Sequence, residues 1–214
     1  DDEDLLWGEQ PVETVIERTQ QAGVSEVVIK RGADSCLVAI AGEAVIEIPA
    51  VKLPKEKVDL DEKALARWKA EQEQVKTALA DDSPSKLWQG GFLEPVGGKR
   101  TGIFGSVRIM NGQARNPHNG EDIGAPMGTD VLATNDGVVR LTVDHIFSGK
   151  GVYVDHGLGF YSMYFHLSEV SVKEGDLVKA GQVVGKVGAT GRATGPHLHW
   201  GVKLNGARVN PYAL

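Results

Sequence analysis

The sequence predicts a mainly β protein. It has a C-terminal domain built as an antiparallel β-sheet or sandwich, a small β-containing domain at the front, and one α-helix connecting them. Three observations predict this. From Phe92 onward, short runs rich in β-branched and aromatic residues alternate with glycines and carry no helical period. Three similar runs stand ahead of Pro54, and between the two β-rich regions lies a single stretch whose apolar residues recur at helical spacing.

In chain order, Pro11 to Gly23 places Val12, Val15, Ile16 and Ala22 on one face, which predicts a short amphipathic helix stopped by glycine. The runs Val24–Lys30, Ser35–Ala41 and Ala44–Val51, punctuated by Gly32 and Gly42, predict a three-stranded meander. Asp59 followed by Glu62 resembles a capping box. With Leu60, Ala64, Leu65, Trp68, Val75 and Leu79 it predicts a helix over 59–80, bounded by Pro54 and by Asp81-Asp82-Ser83-Pro84. The clearest later strands are Gly151–His156, Tyr161–Phe165, Gln182–Val187 and His197–Leu204. The domain reading is therefore 1–53 for the accessory domain, 54–90 for the linker with its helix, and 91–214 for the main domain.

Composition decides little: 41% hydrophobic and 24% charged residues fit an enzyme or a binding module equally. Charge is uneven. Residues 1–97 hold 11 Lys+Arg against 20 Asp+Glu (net −9), and residues 98–214 hold 12 against 9 (net +3). A net +3 suits an anionic polymer but is too weak to indicate nucleic acid. No run approaches the ~18 apolar residues of a membrane span, and the acidic start Asp1-Asp2-Glu3-Asp4 is unlike a signal peptide. A mature or truncated form is expected. Cys36 is the sole cysteine, so no internal disulfide or thiolate metal site can form, and it reads as a small core residue.

All six histidines, at 118, 145, 156, 166, 197 and 199, lie in the last 97 residues. In a strand, residues two apart share a face, so His197 and His199 can reach one point. His118-Asn119-Gly120-Glu121-Asp122 supplies an imidazole and a carboxylate four apart, on a glycine-containing segment that can curl. Two nitrogens and one carboxylate oxygen would leave a fourth position open for water, as catalytic zinc sites do. His145 lacks a partner at ligand spacing and reads as a loop or groove residue. His156 reads as a structural hydrogen-bonder, Glu121 as solvent-facing, and Arg192 and Thr194 as turn residues that could line a groove. No phosphate-binding glycine loop and no serine-nucleophile motif is present.

His118-x3-Asp122, Tyr164-Phe165-His166-Leu167 and Gly195-Pro196-His197-Leu198-His199 together resemble the LytM/lysostaphin-type M23 peptidases. The likeness covers roughly 91–214. It extends to Phe104-Gly105, to Ala133 with Asp136-Gly137-Val138-Val139, to Val154-Asp155-His156-Gly157, and to Gly181-Gln182 with Gly185 and Gly188. Leu87-Trp88-Gln89-Gly90 and Gly206-Ala207-Arg208-Val209-Asn210-Pro211 are similar to exported members that carry a β-domain ahead of the peptidase.

The resemblance implies one zinc ion held by His118, Asp122 and His199, with His166 and His197 as the catalytic histidines. It further implies hydrolysis of peptidoglycan cross-links or stem peptides, and an exported, periplasmic or extracellular protein. On this reading the chain acts as a monomer without nucleic acid, and its front domain targets the wall or regulates the groove. The alternative is a non-hydrolytic LytM-like module that binds the wall or activates an amidase. Such modules lack metal positions that this sequence keeps.

Overall fold

The computed structural model describes residues 17, 26–31, 35–40, 46–49, 60–80, 83–107, 109–110, 113–114 and 116–214. The chain divides into two compact units, one formed by 1–53 with 109–115 and the other by 54–108 with 116–214. In the first, β1 (Glu26–Arg31), β2 (Ser35–Ile40) and β3 (Ile46–Pro49) form an antiparallel meander in that order. The helix expected over 11–23 lies outside the described residues apart from Glu17, and so does the side chain of Cys36.

The second unit begins with α1 (Glu62–Ala78). Its N-cap is Asp61, whose carboxylate accepts from the Ala64 N–H at 2.7 Å, two residues later than the Asp59 cap expected from the sequence. Glu62 then falls in the first turn and Lys76 in the last, each favoured by the helix dipole. Few of its residues are apolar, so it depends on what it docks against. Val75, Ala78 and Leu79 pack on Leu141, Val143, Tyr153, Met163 and Phe165. Arg67 donates to the Asp144 carbonyl at 2.8 Å, Glu71 accepts from the Ile146 N–H at 3.1 Å, and Gln74 meets His145 Nε2 at 3.0 Å. His145 is thus buried against the helix and is not the loop or groove residue expected from the sequence.

After β4 (Lys99–Gly102), the hairpin β5 (Ile109–Met110) and β6 (Gln113–Ala114) belongs to the first unit. The second unit continues with β7 (Glu121–Gly124), β8 (Asp130–Leu132), β9 (Gly137–His145), β10 (Gly149–Gly157) and β11 (Phe160–Leu167). Then follow β12 (Glu169–Val170), β13 (Leu177–Val178), β14 (Val183–Lys186), β15 (Leu198–Leu204) and β16 (Ala207–Val209). One antiparallel sheet runs β13-β9-β10-β11-β15-β7-β4 with β16 added to β15, and a second runs β12-β14-β8.

Strand alternation gives the large sheet two different faces. Val139, Val152, Val154, Tyr164, Leu198, Trp200 and Val202 face one core, which they share with Val131 of β8 and Val184 of β14, so this core lies between the sheets. The opposite face carries the cluster under α1. The antiparallel, mainly β architecture is the fold class that the sequence predicts.

Candidate metal centre

The second face of the large sheet brings the chemistry together through register. β15 pairs β7 with His199 directly opposite Asp122, and β11 pairs β15 with Phe165 opposite His199. Phe165, His199 and Asp122 therefore stand in one row across three strands. Phe165 lies nearly parallel to the His199 ring, with centroids 5.7 Å apart and planes 14° apart. Leu198 and Trp200 on either side point into the inter-sheet core and fix which way His199 must face.

His118 arrives from the loop ahead of β7. Its backbone N–H donates to the Ser106 carbonyl and its own carbonyl accepts from Gly105 N–H, at 2.9 and 2.8 Å. Gly120 is required for the close approach: a Cβ there would stand 2.6 Å from both His199 Nε2 and the Trp200 carbonyl. Glu121 faces the core and is fully buried, contrary to the solvent-facing reading. Next to Asp122 on the same strand, it must point to the opposite side of the sheet. There Arg100 grips it with two hydrogen bonds of 3.1 and 2.8 Å, and Phe104 N–H donates to it at 3.0 Å. That clamp holds the loop whose Ile103 carbonyl accepts from His118 Nδ1 at 3.1 Å.

The Ile103 carbonyl fixes the proton of His118 on Nδ1 and leaves Nε2 bare. His118 Nε2, Asp122 Oδ1 and His199 Nδ1 form a triangle with sides of 3.0, 3.1 and 2.9 Å. All three residues are buried, and together they form a group that could hold a metal ion. Zinc bonds of ~2.0–2.1 Å at tetrahedral angles place neighbouring ligand atoms roughly 3.3 Å apart. The triangle needs only a few tenths of an ångström of expansion to accept the ion, and its two nitrogens and one carboxylate oxygen are ligands that zinc takes. Burial pushes the His199 ring down to about 4 despite the pull of Asp122, so it stays neutral at pH 7, as a metal ligand must.

His166 and His197 flank the triangle. Their ring centroids are 4.7 Å apart, and His166 lies 6.0 Å from His199. His166 Nδ1 donates to the Thr190 carbonyl and His197 Nδ1 to the Gly195 carbonyl, each at 2.8 Å, so both keep a lone pair on Nε2. His197 Nε2 is 3.8 Å from Asp122 Oδ1. Burial first, then the neighbouring His197 and His199, push His166 down to about 3.

His166 also has a left-handed backbone, with φ of 63°. Around it β11 uses three residue steps, Tyr164 to Leu167, where β10 opposite uses two, Val152 to Lys150. This bulge interrupts alternation: Phe165 joins the cluster under α1, while Leu167 returns to the inter-sheet core with Tyr164.

Among the other sequence candidates, His156 makes structural bonds of 2.7 Å to the Asp136 carbonyl and to Ser162 Oγ. Arg192 lies over the Phe147 ring at 4.2 Å, and Thr194 is exposed. Sequence reasoning missed Glu121 as the support of His118, although period-two alternation beside Asp122 carried the signal.

A three-ligand centre with two free imidazoles beside it, on an antiparallel sheet, defines a metallopeptidase type of domain. The profile described as peptidase family M23 matches residues 116–211. A crystal structure of a peptidase M23 from Pseudomonas aeruginosa is 39% identical, covering 83% of this chain and 70% of that one, with a TM-score of 0.63. The chain belongs to peptidase family M23.

A zinc-containing peptidase from Vibrio cholerae is similar at 27% identity and a TM-score of 0.54, over 82% of this chain and 48% of that one. The peptidoglycan DD-endopeptidase ShyC of Vibrio cholerae is 45% identical over 146 residues, 63% of this chain and 34% of that protein. A second kind of relative is also present. A stretch of 58 residues, 27% of this chain, is 76% identical to 19% of the 2-dehydro-3-deoxygluconokinase of Escherichia coli K12. The family match leaves only 212–214 behind it, so a separate stretch of that length falls within 1–115. The chain spans from about a fifth to a third of the length of these curated relatives.

Proposed function

We propose that the chain is the catalytic part of a zinc endopeptidase that hydrolyses peptide bonds of bacterial peptidoglycan, with His118, Asp122 and His199 holding one zinc ion. The observation that carries this reading is the triangle of three ligand atoms 2.9–3.1 Å apart on a buried sheet face. Bound there, zinc supplies Lewis-acid polarisation and lowers the pKa of a water toward about 7. The protein's own groups do the rest. His166 and His197 each offer Nε2 to take a proton from the attacking water or return it to the leaving amine, and the Thr190 and Gly195 carbonyls hold both rings in that tautomer. Glu121 and Arg100 keep the His118 loop closed on the centre.

The wall substrate is supported by the relatives, among which a peptidoglycan DD-endopeptidase is 45% identical. The same likeness favours a D,D cross-link over a glycine bridge and places the enzyme's work in the cell envelope. Residues 91–214 make the peptidase, 54–90 lead into it, and the enzyme acts as a monomer. For the front, 1–53, targeting or autoinhibition was the expectation. The kinase-like stretch favours a second reading, in which the front is a passenger without a role in hydrolysis.

The test is metal analysis of the purified chain together with a wall-hydrolysis assay. Wild type is expected to hold one zinc per chain and to release soluble peptides from purified wall, and His199→Ala to lose both. Undiminished hydrolysis by metal-free protein would end the reading.

A further inference from the structure

A single short turn connects α1 to His166. β9 closes on β10 with His145 paired to Gly149, so Ile146, Phe147 and Ser148 form the turn between them. This turn is locked to the loop ahead of β15. The Phe147 carbonyl accepts from Arg192 N–H at 2.8 Å, and just past the turn Lys150 N–H donates to Thr190 Oγ1 at 3.0 Å. The backbones touch as well: a Cβ on Gly149 would overlap Thr190, and one on Gly191 would overlap Gly149 and the Phe147 carbonyl.

His166 is held by both of these segments. Its N–H donates to the Ser148 carbonyl at 2.9 Å, and its Nδ1 to the Thr190 carbonyl at 2.8 Å. The turn therefore fixes the backbone of His166 while the loop fixes its ring. A residue other than glycine keeps a φ of 63° only where its surroundings enforce it. If the turn shifted, the Ser148 carbonyl would leave that backbone and the Thr190 loop would move with it.

α1 grips the turn with polar groups. Of its 17 residues the buried one is Glu71, a carboxylate. Such a group is costly to bury unless it is hydrogen-bonded. Its partners are Ile146 N–H, which reaches both oxygens at 3.1 and 3.2 Å, and Arg67 Nε at 2.8 Å. Arg67 also donates to the Asp144 carbonyl at 2.8 Å, so the Arg67–Glu71 pair fixes the chain on either side of His145. The apolar residues that dock the helix, Val75, Ala78 and Leu79, lie further along it. Docking alone gives no reason for a buried charge at 71.

We propose that Glu71 is a positioning residue for hydrolysis: acting through the β9–β10 turn, it holds His166 in the left-handed backbone that keeps its ring beside His197 and the metal centre. This rests on the peptidase reading above. It extends the catalytic apparatus to a helix ahead of residues 116–211, the part that matches the family. Glu71 touches none of the three triangle residues, so its effect falls on rate and not on metal binding. Misplacing a catalytic group by about 1 Å from a distance lowers rate by up to roughly 10²-fold.

The experiment measures kcat, KM and zinc content of the zinc-loaded full chain with a soluble cross-linked peptide. Glu71→Ala is expected to lower kcat roughly 10–100-fold, with KM within about twofold and zinc still at one per chain. Glu71→Gln keeps an acceptor for Ile146 N–H and is expected to recover most of the rate. The deciding comparison is made in the His166→Ala background. There Glu71→Ala is expected to change kcat by less than about twofold, because residues that act as a unit are not additive. An equal loss in both backgrounds overturns the proposal, and so does an unchanged kcat in Glu71→Ala. Glu71→Met fills the same space without an acceptor and serves if the alanine variant does not fold. Failure of both to fold assigns Glu71 to stability and also overturns the proposal. Failure of wild type to cleave the peptide overturns the peptidase reading itself.

Discussion

At the scale of single residues, the geometry separates the three atoms of the triangle from the two imidazoles beside it, and the proposed division between holding a metal and moving a proton rests on that separation. His118 and His199 each aim a ring nitrogen at Asp122 Oδ1, at 3.1 and 2.9 Å, whereas His166 and His197 anchor Nδ1 on carbonyls and stand beside the triangle. His166→Ala is therefore expected to bind zinc one to one and to lose activity ~10²–10⁴-fold, the range for a positioned acid or base. His118→Ala is expected to lose the metal. Zinc titration beside hydrolysis assays checks this, and loss of zinc in His166→Ala would contradict the division. Glu121 allows a subtler test, because it never touches the triangle. With Glu121→Gln the carboxylate that Arg100 grips is gone, and the Ile103 carbonyl loses its fixed position under His118. Zinc affinity is expected to fall ~10–100-fold, as for other residues that orient a metal ligand, with the circular dichroism spectrum unchanged. An unchanged affinity would show that the loop holds without its clamp. Four of the five proposed site residues stand out in the sequence because the two short spacings, His-x-His and His-x3-Asp, are local, whereas His166 is singled out only through the resemblance. For Glu121 the sequence gives the side of the strand, away from Asp122, but not what covers that side, so the solvent-facing expectation fails where the core and Arg100 enclose it.

At the scale of elements, the meander, the helix and the long β-runs are legible because each carries its own period and its own glycine stops. The bulge in β11 is not. Strict alternation from Tyr164 would put His166 beneath the sheet with the inter-sheet core, and only its left-handed backbone keeps the ring beside His197. No glycine there announces it, and histidine, although more tolerant of positive φ than most residues, adopts it too rarely to be a signal. The docking of the segment after α1 was equally hidden, because it depends on a partner 72 residues away. Asp155 on β10 accepts from the Ser83 N–H and hydroxyl at 2.9 and 2.8 Å and from Gly157 N–H at 2.7 Å, and it pairs with Arg140. Burial works to raise its pKa, but Arg140 and the N–H groups outweigh it and hold the carboxyl below its ordinary value. Asp155→Ala is expected to cost about 3 kcal/mol at pH 7, typical of removing one partner of a buried pair. Because the folded pKa is the lower one, the charge-dependent part is present above the unfolded value of ~3.9 and is lost as pH falls below it. Urea denaturation at pH 7 and at pH 3 should show the gap between wild type and variant shrinking at the lower pH. An equal gap at both would assign the effect to shape alone.

At the scale of the whole molecule, the chain is similar to proteins of two different kinds. Peptidase relatives are 39% and 45% identical over 83% and 63% of the chain, whereas the 58-residue kinase-like stretch is 76% identical to a 2-dehydro-3-deoxygluconokinase of which only 19% is matched. So small a share of a kinase cannot carry a whole kinase's chemistry, and nothing in its relationship points to a wall. Charge could still couple the parts, because residues 1–97 carry net −9 and 98–214 carry net +3. At physiological salt, however, exposed charges more than ~8 Å apart are largely screened. The second unit also has its own inter-sheet core, its own cover in α1 and all five proposed site residues. Removing residues 1–53 is therefore expected to leave zinc content at one per chain and the rate of wall hydrolysis within about twofold of the full chain at 0.15 M salt. A rise of tenfold or more on deletion would restore the autoinhibitory reading. A fall confined to insoluble wall, with soluble cross-linked peptides cleaved as before, would instead make the front a targeting device.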